Sequence, residues 1–227
     1  MRFDAVFFDL DGTLIDSAAC IVASFELACR AHDLPVPSPS RIRASMGIPL
    51  EISIPAAARE AGRELDAERT GRVIATYREH YARLTPDLVR VFPGVPEMLD
   101  ALRERGVPMA IVTSKRSAPA EMNLRHVGLL DHFAAIVGSD HVTNYKPHPE
   151  TVHVAAARLG VTDMPRTLVV GDAPFDIEMG RAAGSATCAA LWGAHDVGQL
   201  AGSDHVAGSP VEVQHVVVIG PVTPSRA

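Results

Sequence analysis

Phe7-Phe8-Asp9-Leu10-Asp11-Gly12-Thr13-Leu14-Ile15-Asp16-Ser17 is an apolar strand that stops abruptly at two carboxylates and a glycine. Val6, Phe7 and Phe8 form the continuous apolar run expected of a strand buried on both faces of a parallel sheet, which puts Asp9 at the strand's carboxyl end. Ligands of open α/β sheets collect at that edge. Asp11-Gly12 is a turn signal that curls the chain, so both carboxylates and their backbone N–H groups converge on one place. Two acids held that close repel unless a cation shares them. A hard divalent ion meets the need, and Mg²⁺ takes one or two carboxylates while keeping water and substrate oxygens as its other ligands. Taken alone, Asp-x-Asp-Gly reads equally well as an ordinary turn. Three later stretches decide between the two.

Outward from this run, the chain splits into two textures. From residue 16 to about 87 nothing reads as a strand. Ile21, Val22, Phe25, Leu27 and Cys29 lie in an Ala-rich helical run, Pro35, Pro37 and Pro39 break it, and Ala, Arg and Glu at helical spacing resume as far as Leu84. After that, strand and helix signals alternate. Strands over 107–112, 134–137, 167–170 and 186–191 are separated by helices of about ten residues, the mark of βαβ units and a parallel sheet. The expected fold is therefore α/β, a Rossmann-like parallel-sheet core formed by residues 1–15 and 88–227, with a small all-helical cap inserted over 16–87. From Trp192 onward the signals weaken. Val216 to Ile219 reads either as an edge strand or as the end of a helix, and the final eight residues as a loose tail.

Composition narrows the class. A length of 227 residues with 47% hydrophobic content supports a substantial core, and a net charge of −6 without a long basic run argues against nucleic-acid and anionic-membrane partners. Cys20, Cys29 and Cys188 lack C-x-x-C spacing, so neither a disulfide framework nor a zinc ribbon is expected. A cytoplasmic protein, monomeric or homodimeric, is the plain expectation. The 21 basic residues include only two lysines, Lys115 and Lys146, and both sit beside candidate site motifs. An ammonium is a compact point charge that arginine does not reproduce.

Four segments supply polar residues to one edge of the expected sheet. Asp9 and Asp11 end the first strand. Thr113 and Ser114 end another, where a hydroxyl and a turning backbone suit a phosphate oxygen. Lys146 is followed by Pro147, which holds it out of helical geometry on a stiff loop. Asp172 ends a third strand, and Asp176, four residues on, starts a helix from which it can orient a neighbour.

Asp-Leu-Asp-Gly-Thr, the Thr-Ser pair, Lys-Pro-His-Pro-Glu and Gly-Asp-x-x-x-Asp-Ile resemble the four ordered motifs of the haloacid-dehalogenase-like hydrolases over most of residues 2–191. The helical tract is similar to the cap of the phosphoglycolate phosphatase and pyrophosphatase-like branch. The resemblance implies an enzyme acting on a small phosphorylated metabolite with Mg²⁺. It implies Asp9 as nucleophile and metal ligand, and Asp11 as general acid and base whose backbone carbonyl also meets the metal. Asp172 would be a further ligand with Asp176 behind it, Thr113 and Ser114 would hold phosphate oxygens, and Lys146 would balance charge. A cap loop over 45–50, containing Gly47, is expected to dip into the site. Dehalogenases lack the second acid that Asp11 provides, and the phosphonate hydrolases need a cap lysine absent from this chain. β-Phosphoglucomutase-type mutases carry a cap-hinge His where Ile21 stands. A mutase and an inorganic pyrophosphatase of the same fold remain the alternatives, and a non-catalytic binding module would have no use for the Asp9 and Asp11 pair.

Overall fold

A computed structural model describes residues 3–195 and 197–219. Among these, six strands form a wholly parallel sheet: β1 (Ala5–Phe8), β4 (Met109–Val112), β5 (Ala135–Val137), β6 (Thr167–Gly171), β7 (Ala186–Ala190) and β8 (His205–Ala207), in the order β5-β4-β1-β6-β7-β8. The core is thus the expected Rossmann-like α/β arrangement. β1 lies between β4 and β6, with Phe7 opposite Ala110 on one side and Val169 on the other. Side chains alternate across a strand, so β1 feeds two separate layers. Val6 and Phe8 pack with α5 (Val95–Glu104) and α9 (Pro210–Ile219), while Ala5 and Phe7 pack with α7 (Glu150–Leu159) and α8 (Pro174–Ala182).

Between β1 and β4 the chain leaves the sheet through β2 (Ile15–Asp16) and returns through β3 (Arg90–Val91). The two connections pair antiparallel, with Ile15 opposite Val91 and Asp16 opposite Arg90. The intervening residues form α1 (Ala18–Ala31), α2 (Pro39–Arg43), α3 (Leu50–Glu60) and α4 (Ala67–Leu88). α1 packs along α4 through Phe25 and Tyr77, whose rings meet edge to face with centroids 6.3 Å apart. α4 is a single 22-residue helix that continues through Pro86 to Leu88. α6 (Ser117–His126) follows β4 and reaches back to α4.

The carboxyl-terminal part resolves what the sequence left open. Val216 to Ile219 belong to helix α9, not to an edge strand, and Val213, Val216 and Val217 enter the same core layer as Leu99 and Leu102. The sheet's real edge is β8, three residues long, which sequence periodicity did not reveal. Its residues add a parallel strand to β7, with Ala189 opposite Val206. The expected tail, residues 220–227, lies outside the described residues.

Because Phe7 is fully buried beneath α7 and α8, Phe7→Ala should destabilise the protein by about 3–5 kcal/mol in urea unfolding, the range for an aromatic removed from a core that cannot collapse. A loss under about 1 kcal/mol would mean that this layer does not carry the sheet.

Candidate active site

The carboxyl ends of β1, β4 and β6 share one edge, and each hands its next residues to the same spot. Asp9 follows β1, Thr113 and Ser114 follow β4, and Asp172 follows β6. Lys146 arrives from the loop before α7. Its Nζ donates to Asp9 Oδ1 and to Asp176 Oδ1, both at 2.6 Å, so one ammonium bridges the first and last motifs. Asp176 Oδ2 accepts the Ala173 N–H at 3.1 Å at the start of α8. Asp172 accepts from Thr13 Oγ1 at 3.1 Å and from the Ala194 N–H at 2.8 Å.

Two glycines make this closeness possible. Gly12 has φ +94°, and a Cβ there would stand 2.4 Å from Asp172 Oδ2. A Cβ at Gly171 would meet the Asp176 carboxyl carbon at 2.3 Å. Any side chain at either position would displace a carboxylate that is already pinned by hydrogen bonds. The Asp-Gly turn seen in the sequence is therefore a packing requirement as well as a bend.

One oxygen from each of Asp9, Asp172 and Asp176 lies within 4.8 Å of the others, all three residues being buried. Three acids against one lysine leave an excess of negative charge in a dry place. Burial pushes the Asp9 carboxyl well above its ordinary value; Lys146 opposes that push, and the charges of Asp176 and Asp172 add to it. Burial, with Asp176 next, raises Asp172 to about 6. For Lys146, burial alone would favour the neutral amine, but Asp176 and Asp9 outweigh it and keep the ammonium charged. An all-oxygen donor set with surplus negative charge is the chemistry a hard divalent cation satisfies, and it contains neither the thiolate nor the imidazole that zinc prefers. Asp176 stands nearer to the other two acids than the sequence suggested, although both its oxygens are already engaged.

The Asp11 side chain turns away from this triad. Its Oδ1 accepts from Ser17 Oγ at 2.5 Å and from Lys115 Nζ at 2.8 Å. Lys115 in turn contacts the Tyr81 hydroxyl at 2.7 Å, and that hydroxyl also accepts from Asn123 Nδ2 at 2.7 Å. Tyr81 stands on α4 and Asn123 on α6, so the contact chain ties the inserted helices to the acid. Sequence reasoning singled out Lys115 by its rarity but missed Tyr81, Asn123, Ser17 and Thr13. Only the scarcity of lysine pointed anywhere near them.

A cavity of about 340 Å³ opens over Asp9 and Asp11, bounded by Thr113, Ser114 and, from the inserted helices, Ser45, Met46 and Gly47. The 45–50 turn thus reaches the site, where Gly47, at φ +86°, sits against Phe175. Ser114, which helps to line this cavity, keeps its Oγ buried without a hydrogen-bond partner.

The haloacid dehalogenase-like hydrolase family model matches residues 6–190. The chain belongs to this family. It is 38% identical over 199 residues to the "Probable phosphatase IndB" of Dickeya dadantii, covering 86% of this chain and 84% of that one. It is 34% identical over 186 residues to the phosphoglycolate phosphatase of Pectobacterium atrosepticum, covering 82% and 79%. The crystal structure of a hydrolase from Pseudomonas syringae superposes with a TM-score of 0.84 at 29% identity, over 96% of this chain and 100% of that one. These likenesses put the chain in the phosphatase branch of the family, as the four motifs implied.

The Tyr81 hydroxyl is the link that can be removed with least disturbance. Tyr81→Phe should cost about 1.5–3 kcal/mol of stability, since the phenol bonds a charged group, and should lower turnover of p-nitrophenyl phosphate about tenfold by loosening Lys115 and Asp11. Lost stability with unchanged turnover would assign the phenol to the fold alone.

Proposed function

We propose that the chain is a Mg²⁺-dependent phosphatase that hydrolyses a small phosphate monoester through an aspartyl-phosphate on Asp9. The observation that carries this reading is the position of Asp9: it ends the central strand, its carboxylate is gripped by Lys146, and it opens into the cavity beside Asp11. A bound Mg²⁺, held by Asp9, Asp172 and the backbone carbonyl of Asp11, would supply positive charge that lets an anionic nucleophile approach an anionic phosphoryl group.

The protein's own groups divide the remaining work. An Asp9 oxygen attacks phosphorus, the bond from phosphorus to the ester oxygen breaks, and that oxygen takes a proton from Asp11. In the second step Asp11 removes a proton from water, the water oxygen attacks phosphorus, and the Asp9 carboxylate departs, releasing inorganic phosphate. One carboxyl can act first as acid and then as base only when it is not committed to the metal. The Asp11 side chain meets that condition here, held by Ser17 and Lys115 away from the triad. Thr113 and the Ser114 N–H would bond phosphoryl oxygens, and Lys146 would neutralise charge on both Asp9 and the phosphoryl group. Asp176, fastened to Lys146 and to the start of α8, would hold these ligands in place.

Ile21 lines the cavity where mutases of this superfamily carry a hinge histidine, which favours hydrolysis over isomerisation. Family likeness taken alone points to a phosphoglycolate-like ester, whereas the apolar lining of the cavity points to a different alcohol; Gly47 and its turn would close over either.

Asp9→Asn keeps the shape and removes the nucleophile. It should lower Mg²⁺-supported release of phosphate from p-nitrophenyl phosphate by at least ~10³ while the circular dichroism spectrum is preserved. A folded Asn variant with near-normal turnover would refute the assignment.

A further inference from the structure

Resting on the phosphatase reading, we infer that the ester's alcohol is an uncharged, mainly apolar group of about ring size, not glycolate, a sugar or a second phosphate. The part of the cavity beyond Asp9, Asp11, Thr113 and Ser114 is walled mainly by apolar side chains, among them Ile21, Phe25, Met46, Tyr77, Tyr81 and Met122. The phosphoryl group occupies the polar floor, so the leaving group must stand among these side chains. A cavity of about 340 Å³ is at the small end of ligand pockets, enough for one ring or a short branched chain.

Charge on the wall points the same way. Three cations border the cavity, and each already faces a carboxylate. Arg78 donates to Glu51 at 2.9 Å, Lys115 to Asp11 at 2.8 Å, and Arg116 lies 3.9 Å from Asp140. The carboxylate of phosphoglycolate or the second phosphate of pyrophosphate would have to compete with Glu51, Asp11 and Asp140 for these cations, and a buried charge left unpaired is strongly disfavoured. A sugar's many hydroxyls would meet mostly apolar surface, with polar side chains only at Ser53, Tyr77 and Ser139 besides those already engaged. The Tyr81 hydroxyl is taken by Lys115 and Asn123, and Ser45 Oγ by the Ile42 carbonyl. Apolar surface, by contrast, gains from being placed here.

The test is a panel of esters of primary alcohols, which keeps leaving-group reactivity similar: benzyl phosphate, 2-phenylethyl phosphate and n-hexyl phosphate against phosphoglycolate, glycerol 1-phosphate and methyl phosphate, with glucose 6-phosphate and pyrophosphate alongside. kcat/KM should be at least about tenfold higher for the three apolar esters than for any other member, the least that a well-fitting apolar group is worth in such a pocket. Met122→Lys, which adds a cation to the wall, should narrow or reverse the gap in favour of phosphoglycolate. A flat panel, a preference for phosphoglycolate, sugar phosphate or pyrophosphate, or a well-folded Met122→Lys variant with an unchanged ranking would each overturn the inference and leave the phosphatase reading standing. No Mg²⁺-supported turnover of any ester, p-nitrophenyl phosphate included, would overturn the phosphatase reading and this inference with it.

Discussion

Three carboxylates share one lysine at the end of a parallel sheet, and the surrounding structure is arranged to tolerate that surplus of charge. Asp9, Asp172 and Asp176 are buried, and among the described residues Lys146 is the cation that forms salt bridges in this cluster, with Asp9 and Asp176. Leaving them so costs stability that other contacts must offset: Thr13 and the Ala194 N–H on Asp172, the Ala173 N–H on Asp176, and glycines at 12 and 171 that permit the approach. Such frustration persists where a site needs it. On the proposed function, that surplus would be met by a divalent cation beside a phosphoryl group.

The inserted helices complete the site from the other side. Tyr81 on α4 reaches Lys115, which reaches Asp11, while the 45–50 turn brings Gly47 against Phe175. On the proposed function, phosphoryl chemistry would belong to the sheet edge and selection of the leaving group to the helices above it. The antiparallel pairing of β2 with β3 makes the two connections a short ribbon, so motion of the helices relative to the sheet would involve both strands together.

Most of the sheet was legible because fully buried parallel strands leave continuous apolar runs, as at 5–8, 109–112 and 167–171, and because glycines such as Gly106, Gly128 and Gly160 mark helix ends with positive φ. Strand ends of a parallel sheet share an edge, so residues as distant as Asp9, Thr113 and Asp172 could be placed together before any coordinates. β8 was invisible because His205-Val206-Ala207 is too short for periodicity to register, and α9 because an apolar run of four fits helix and strand equally well. The Lys115, Tyr81 and Asn123 contacts were beyond reach for a different reason. They join side chains from three separate elements, and nothing local to any of them records the meeting.

The account stands on the claim that the acid cluster is held in want of a cation. Thermal unfolding of the metal-free protein, followed with increasing MgCl₂ and with NaCl at matched ionic strength as control, measures this without any substrate. Binding to the folded state alone raises stability by about 2.7 kcal/mol at a hundredfold excess over Kd, so Tm should climb with Mg²⁺ by several degrees and Asp172→Asn should abolish most of the rise. A Tm that responds to Mg²⁺ no more than to NaCl would contradict the account.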